Sequence, residues 1–188
     1  MTIPNFITLG RVILVPVIFY LLVSNETKAA FFLFVVAGIS DAVDGYLAKR
    51  YDWGSELGAY LDPLADKLLL VSMFVALGVQ GSLPVWLVVA VVSRDILIVL
   101  GVILAWLMGQ PVRIAPLLIS KINTTAQIVL AATVLADEGF GLGLTDLRQV
   151  LIWITGALTV VSLAAYTSAW IRHMSGDDTE AARDTDPV

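Results

Sequence analysis

The stretch Asp41-Ala42-Val43-Asp44-Gly45-Tyr46-Leu47-Ala48-Lys49, followed by Gly58-Ala59-Tyr60-Leu61-Asp62-Pro63-Leu64-Ala65-Asp66, lies between apolar runs near 29–40 and 68–92. On a helix, Asp41 and Asp44 share a face, and on the next helix Asp62 and Asp66 do the same. The short polar loop Lys49–Glu56 predicts that these helices are antiparallel neighbours, with all four carboxylates at one depth. Four uncompensated carboxylates inside a bilayer would each cost at least about 2–3 kcal/mol, so they call for cations. Lys67 lies roughly 100° round the helix from Asp66 and cannot neutralise the group. Hard oxygen donors suit Mg²⁺ or Mn²⁺, above all when substrate phosphates complete the shell. Two such ions would also stabilise charge on a diphosphate undergoing displacement. Gly45, Ala48 and Gly58 set small side chains beside the carboxylates, which lets a nucleotide approach the backbone. Helix-end acids with packing glycines are the plain alternative. That alternative accounts for any one aspartate, but poorly for four at this spacing.

The rest of the chain supports a bilayer setting. Its 188 residues are 59% hydrophobic and only 14% charged, against roughly 45–50% and 25% in soluble domains. Apolar runs near 12–23, 29–40, 68–92, 96–108, 125–136 and 150–171, extended by flanking residues, each reach the ~20 residues that a spanning helix needs. We therefore expect an all-α integral membrane protein with six transmembrane helices. Pro4–Arg11 would form a short interfacial segment before helix one, which runs to about Val23. Helices over about Ala29–Ala48, Leu57–Val79, Pro84–Met108, Pro116–Ala136 and Leu147–Ile171 would follow. One membrane domain would occupy residues 1–171, and a polar disordered tail 172–188. The first apolar run lacks a basic start and a small-residue cleavage site, so it is expected to be a retained helix and not a secretory signal. Without cysteine, disulfides, thiolate ligands and a cysteine nucleophile are excluded. The dispersed basic residues give no nucleic-acid footprint.

Arg11, Lys49, Arg50, Arg113, Arg172 and Arg183 fall on one side of this topology, and Lys28 and Arg148 on the other. The basic excess predicts that both termini are cytoplasmic, N-in and C-in. The carboxylates then lie on the cytoplasmic side, where a soluble nucleotide product can leave; a bacterial inner membrane is the expected location.

Asp41, Asp44, Gly45, Ala48, Gly58, Asp62 and Asp66 match, in register, the signature D-x2-D-G-x2-A-R-x8-G-x3-D-x3-D. In this the chain resembles the CDP-alcohol phosphatidyltransferase family, and the six-helix pattern resembles it over about 1–171. Lys49 stands where the family has Arg, keeping the charge but not the bidentate fork; Arg50 follows it. The resemblance implies that Asp41, Asp44, Asp62 and Asp66 are metal ligands that hold two Mg²⁺ or Mn²⁺ ions. It further implies that Asp66 is the general base on an acceptor hydroxyl, which attacks the β-phosphorus of CDP-diacylglycerol and expels CMP. Gly45, Ala48, Lys49 and Gly58, with Asn5, Thr8 and Arg11 of the N-terminal segment, would border the CDP-lipid. A homodimer is the assembly that the family implies.

Four further residues, Arg94, Arg113, Lys121 and Asn123, are expected to bind the acceptor. An interhelical salt bridge at Arg94, snorkelling of Lys121 to the interface and a solvated loop at Arg113 are the competing structural explanations. Arg94 and Asp95 are neighbours on different faces, so no local ion pair is expected between them. Ser93-Arg94-Asp95 and Ile119-Ser120-Lys121-Ile122-Asn123-Thr124 are similar to the eukaryotic-type cardiolipin synthases, which accept phosphatidylglycerol. Phosphatidylglycerophosphate synthases tend instead to carry a second Lys where Asn123 stands. One cation fewer suits a phosphodiester monoanion better than the dianionic head of glycerol 3-phosphate. Cardiolipin and CMP are thus the expected products, phosphatidylglycerophosphate is the alternative, and a carboxylate-lined cation transporter is the remaining reading.

Overall fold

The computed structural model describes residues 3–51, 56–107 and 118–175. Within these helices, the side chains of 3–9, 44–51, 56–64 and a few other positions lie outside that description. All regular structure described is helical: α1 (Ile3–Val23), α2 (Thr27–Tyr51), α3 (Glu56–Val79), α4 (Val85–Leu107), α5 (Leu118–Phe140) and α6 (Thr145–Ser175).

The turns follow from local chemistry. Asn25 (φ 61°) and Gly81 (φ 80°) take left-handed conformations just past α1 and α3. The amides of Glu26 and Ser82 reach back to Leu21 O and Leu77 O, both at 2.8 Å, closing Schellman-type C-caps with the two residue types that tolerate this backbone. The Asp137 carboxylate accepts the Leu144 amide at 2.8 Å and so ties the tight turn between α5 and α6.

The helices form a closed ring in the order α1, α2, α5, α6, α4, α3, with α3 also touching α5 across the middle. Its two ends differ in chemistry. One end is packed by Ile18, Leu22, Phe34, Met73, Phe74, Leu77, Leu87, Leu130 and Val134, all nearly inaccessible. The other end, holding the start of α1, buries Arg11, Arg94, Asp95, Asn123, Gln127, Thr155, Thr159 and Ser162. The outward faces are apolar, with exposed Ile13, Phe32, Ile39, Val89, Leu97, Ile122, Trp153 and Val160 among many. An apolar exterior around polar buried groups is the pattern of a bundle solvated by hydrocarbon, where ionisable groups turn to the bundle interior. Among the described residues, Leu118–Phe140 and Thr145–Ser168 are long and apolar enough by themselves to cross a membrane.

The structure corrects several boundaries. Pro4–Arg11 is not a separate segment but the first turns of α1, since Pro is tolerated where the amide has no helical partner. The hinge between α2 and α3 is shorter than expected because α2 continues to Tyr51. Likewise α5 runs on to Phe140 and α6 to Ser175, so residues 172–175 are helical and not tail; the remainder of that tail, 176–188, lies outside the described residues. The largest difference concerns neighbours. Among the described residues α2 and α3 do not pack on one another; α1 packs on both.

Candidate functional site

With α1 between them, α2 and α3 bring Asp41 and Asp66 together through a third side chain. Arg11 Nη2 lies 2.8 Å from Asp41 Oδ1, and Nη1 lies 2.5 Å from Asp66 Oδ1. The guanidinium is only 2% exposed, whereas the two carboxylates are 46% and 42% exposed. The cation therefore lies beneath and the acids remain open on their other side. The helical backbones of α2 and α3 preserve the spacing of Asp44 from Asp41 and of Asp62 from Asp66. The side chains of Asp44 and Asp62, like those of Gly45, Ala48, Lys49, Gly58, Asn5 and Thr8, lie outside the described residues. Among the described residues no cluster of three metal-ligating side chains is assembled. The donor set nonetheless fits a hard divalent cation: half-open carboxylates from two helices converge on a position already chosen by a positive charge.

One residue further along α3 a second charged cluster begins. Lys67 Nζ is 3.6 Å from Asp95 Oδ1, and Asp95 Oδ1 accepts a 2.5 Å hydrogen bond from Arg94 Nη1. The adjacent pair on α4 thus does form a local ion pair, contrary to the expectation from helical faces. Both side chains are buried, and a long guanidinium can curl back on its neighbour when no water competes. Arg94 Nη2 also donates to Ser120 Oγ (2.5 Å) and Ser162 Oγ (2.7 Å), and its Cζ lies 5.6 Å over the Tyr166 ring. Arg94 therefore joins α4, α5 and α6, while Lys67 adds α3.

From Arg94 a polar seam descends between α5 and α6. Ser120 and Ser162 share the guanidinium, and Asn123 Oδ1 accepts from Thr159 Oγ1 at 3.1 Å. The same antiparallel register sets Gln127 opposite Thr155. Asn123, Gln127 and Thr155 are at most 1% exposed, and Asn123 Nδ2, Gln127 Nε2 and Thr155 Oγ1 are buried without hydrogen-bond partners. Of the expected acceptor residues, the structure thus brings together Arg94 and Asn123. Lys121 is exposed on α5, away from the seam; Arg113 lies outside the described residues.

Sequence reasoning set Arg11 beside the nucleotide but not between the carboxylates, and did not place Lys67, Asp95, Gln127, Thr155, Thr159 or Ser162 in a site. The last three carried a usable signal: Thr155, Thr159 and Ser162 recur at helical spacing on an otherwise apolar helix. Replacing Gln127 by Leu together with Thr155 by Val removes unpartnered groups with little change of shape. Stability should then stay within about 1 kcal/mol of wild type or rise, as thermal unfolding in micelles would show. A clear fall in melting temperature would mean that these groups are bonded through water.

Comparison with known proteins shows the family of the chain. The model of the CDP-alcohol phosphatidyltransferase family matches residues 1–161. The human cardiolipin synthase (CMP-forming) is 32% identical over 181 residues, covering 88% of this chain and 60% of that protein. A cardiolipin synthase (CMP-forming)/mitochondrial hydrolase fusion protein of Schizosaccharomyces pombe is 33% identical over 180 residues, of which this chain spans 30%. The CDP-diacylglycerol--glycerol-3-phosphate 3-phosphatidyltransferase of Bacillus subtilis is 32% identical over 182 residues, covering 88% of this chain and 93% of that protein. With the family model matching most of its length and all four signature aspartates present, this chain belongs to the CDP-alcohol phosphatidyltransferase family.

Proposed function

We propose that the protein transfers a phosphatidyl group from CDP-diacylglycerol to the hydroxyl of phosphatidylglycerol, giving cardiolipin and CMP. Asp41, Asp44, Asp62 and Asp66 would hold two Mg²⁺ or Mn²⁺ ions, whose contribution is Lewis-acid stabilisation of charge on the donor diphosphate. Asp66 takes the proton of the acceptor hydroxyl as its oxygen bonds to the β-phosphorus. The bond from that phosphorus to the oxygen bridging to CMP breaks, and CMP leaves carrying the electron pair. Gly45, Ala48 and Gly58 give the nucleotide room against the backbone, Lys49 supplies a positive charge to its phosphates, and Asn5 and Thr8 border it from α1. Arg94, Asn123, Lys121 and Arg113 form the acceptor side.

The observation that carries the choice of acceptor is the charge balance beside Asp66. Inside the bundle, apart from the exposed Lys121, Arg94 and Lys67 share one carboxylate, Asp95, which leaves about one net positive charge there. That suits a phosphodiester monoanion, and Asn123, buried and uncharged, adds no cation for a second negative charge. All six helices would span the membrane with both termini cytoplasmic, in a bacterial inner membrane, and two copies would associate as a homodimer. Purified protein given CDP-diacylglycerol, Mn²⁺ and either phosphatidylglycerol or glycerol 3-phosphate tests the reading. Cardiolipin formed at least about tenfold faster than phosphatidylglycerophosphate is expected, a margin of ~1.4 kcal/mol; the reverse preference would assign the glycerol 3-phosphate reaction.

A further inference from the structure

We propose that Arg11 is the resident counter-cation of the carboxylate cluster and sets its affinity for divalent metal, competing with the ions for Asp41 and Asp66. The inference rests on the reading of these aspartates as metal ligands and adds a residue to it. The two helices that carry them do not pack together among the described residues; α1 separates them. What joins their acids is the Arg11 fork, one Nη to each Oδ1 at 2.8 and 2.5 Å. At 2% exposure the guanidinium has almost no access to solvent. A buried cation of this kind is held by its ionic partners, because leaving it without them carries a large desolvation cost. A metal ion drawing on the same carboxylates must weaken that tie. By thermodynamic reciprocity, the tie must weaken metal binding to the same degree. The carboxylates remain open on the side away from Arg11, so an ion can approach without α1 unpacking. Arg11 is in these terms a positioning residue. It holds three helices in register before metal enters, and it limits how tightly metal is kept afterwards.

The test is a Mn²⁺ titration of the full chain in detergent micelles, without nucleotide, read by the paramagnetic resonance of free Mn²⁺. Thermal unfolding in EDTA accompanies it. For Arg11→Gln we expect Mn²⁺ to bind about tenfold more tightly than to wild type, as removal of one nearby positive charge requires, and the EDTA melting temperature to fall. Arg11→Lys keeps the charge, but its single ammonium cannot serve both acids with a planar fork. Its Mn²⁺ affinity should rise by about threefold. If the Gln variant does not fold, the Lys variant decides. Mn²⁺ bound with equal or lower affinity in the folded variants would overturn the inference and leave the metal reading standing. Absence of Mn²⁺ binding by wild type would overturn both.

Discussion

Asp66→Asn is expected to bind CDP-diacylglycerol within a few-fold of wild type and to lose about 10²–10⁴-fold in turnover, the span typical of a missing general base. The asparagine keeps the shape of the side chain and an oxygen that can face Arg11. It cannot take a proton, and it gives up the ionic half of the 2.5 Å contact with Nη1. On the proposed reading donor binding would draw on Asp41, Asp44 and Asp62 as well, so it should fall less than the chemistry does. CMP release under saturating acceptor, set against equilibrium binding of the CDP-lipid, separates the two effects. Unimpaired turnover would remove Asp66 from the proton-transfer role. A parallel loss of binding and turnover would make it a metal ligand alone.

Arg94→Met should carry a large stability cost, about 3–5 kcal/mol, the range for removing one partner of a buried pair. Arg94 meets Asp95, Ser120 and Ser162 at once, from a position only 2% exposed. Among the described residues, its loss leaves the buried Asp95 with only the 3.6 Å contact to Lys67 and unties α4 from α5 and α6. The double change Arg94→Met with Asp95→Leu should recover most of the loss, because both buried charges then disappear and Lys67 is partly exposed. Thermal unfolding of the purified variants measures this. Should Arg94→Met leave the melting temperature unchanged, Arg94 would not be a structural joint, and a raised KM for the acceptor would leave it with the acceptor role alone.

These two predictions concern clusters that meet at adjacent residues of α3. Asp66 turns to Arg11 and Lys67 to Asp95, so one helical turn of α3 is the junction between the carboxylates paired with Arg11 and the polar seam. A consequence is that disturbance on the acceptor side, such as Arg94→Met, should also alter donor handling through α3. The sequence shows Asp66 and Lys67 as neighbours on different faces, but not which charges those faces meet.

Much of the architecture was legible in the sequence because it depends on local or compositional rules. Apolar runs marked all six helices, and Gly81 with Pro84 marked the turn before α4. Boundaries were less legible: α2, α5 and α6 continue through residues that read as loop or tail, since propensity is weak where packing extends a helix. The aspartate spacing also identified the family, because the register of its seven matching positions is set by spacing along the chain and does not depend on packing.

What only the tertiary structure decided is which helices touch. The short hinge suggested that α2 packs on α3, yet α1 lies between them and delivers Arg11 to both acids. Likewise, the pairing of Ser120 with Ser162 at Arg94, and of Asn123 with Thr159, exists only once α5 and α6 are set in one antiparallel register against α4. The physical reason is the same in each case. Periodicity along one helix states which residues share a face, whereas the partner of that face is chosen by the packing of the whole ring. For buried charge the choice is strict, since an ion removed from water must find its counter-ion among whatever helices packing brings near.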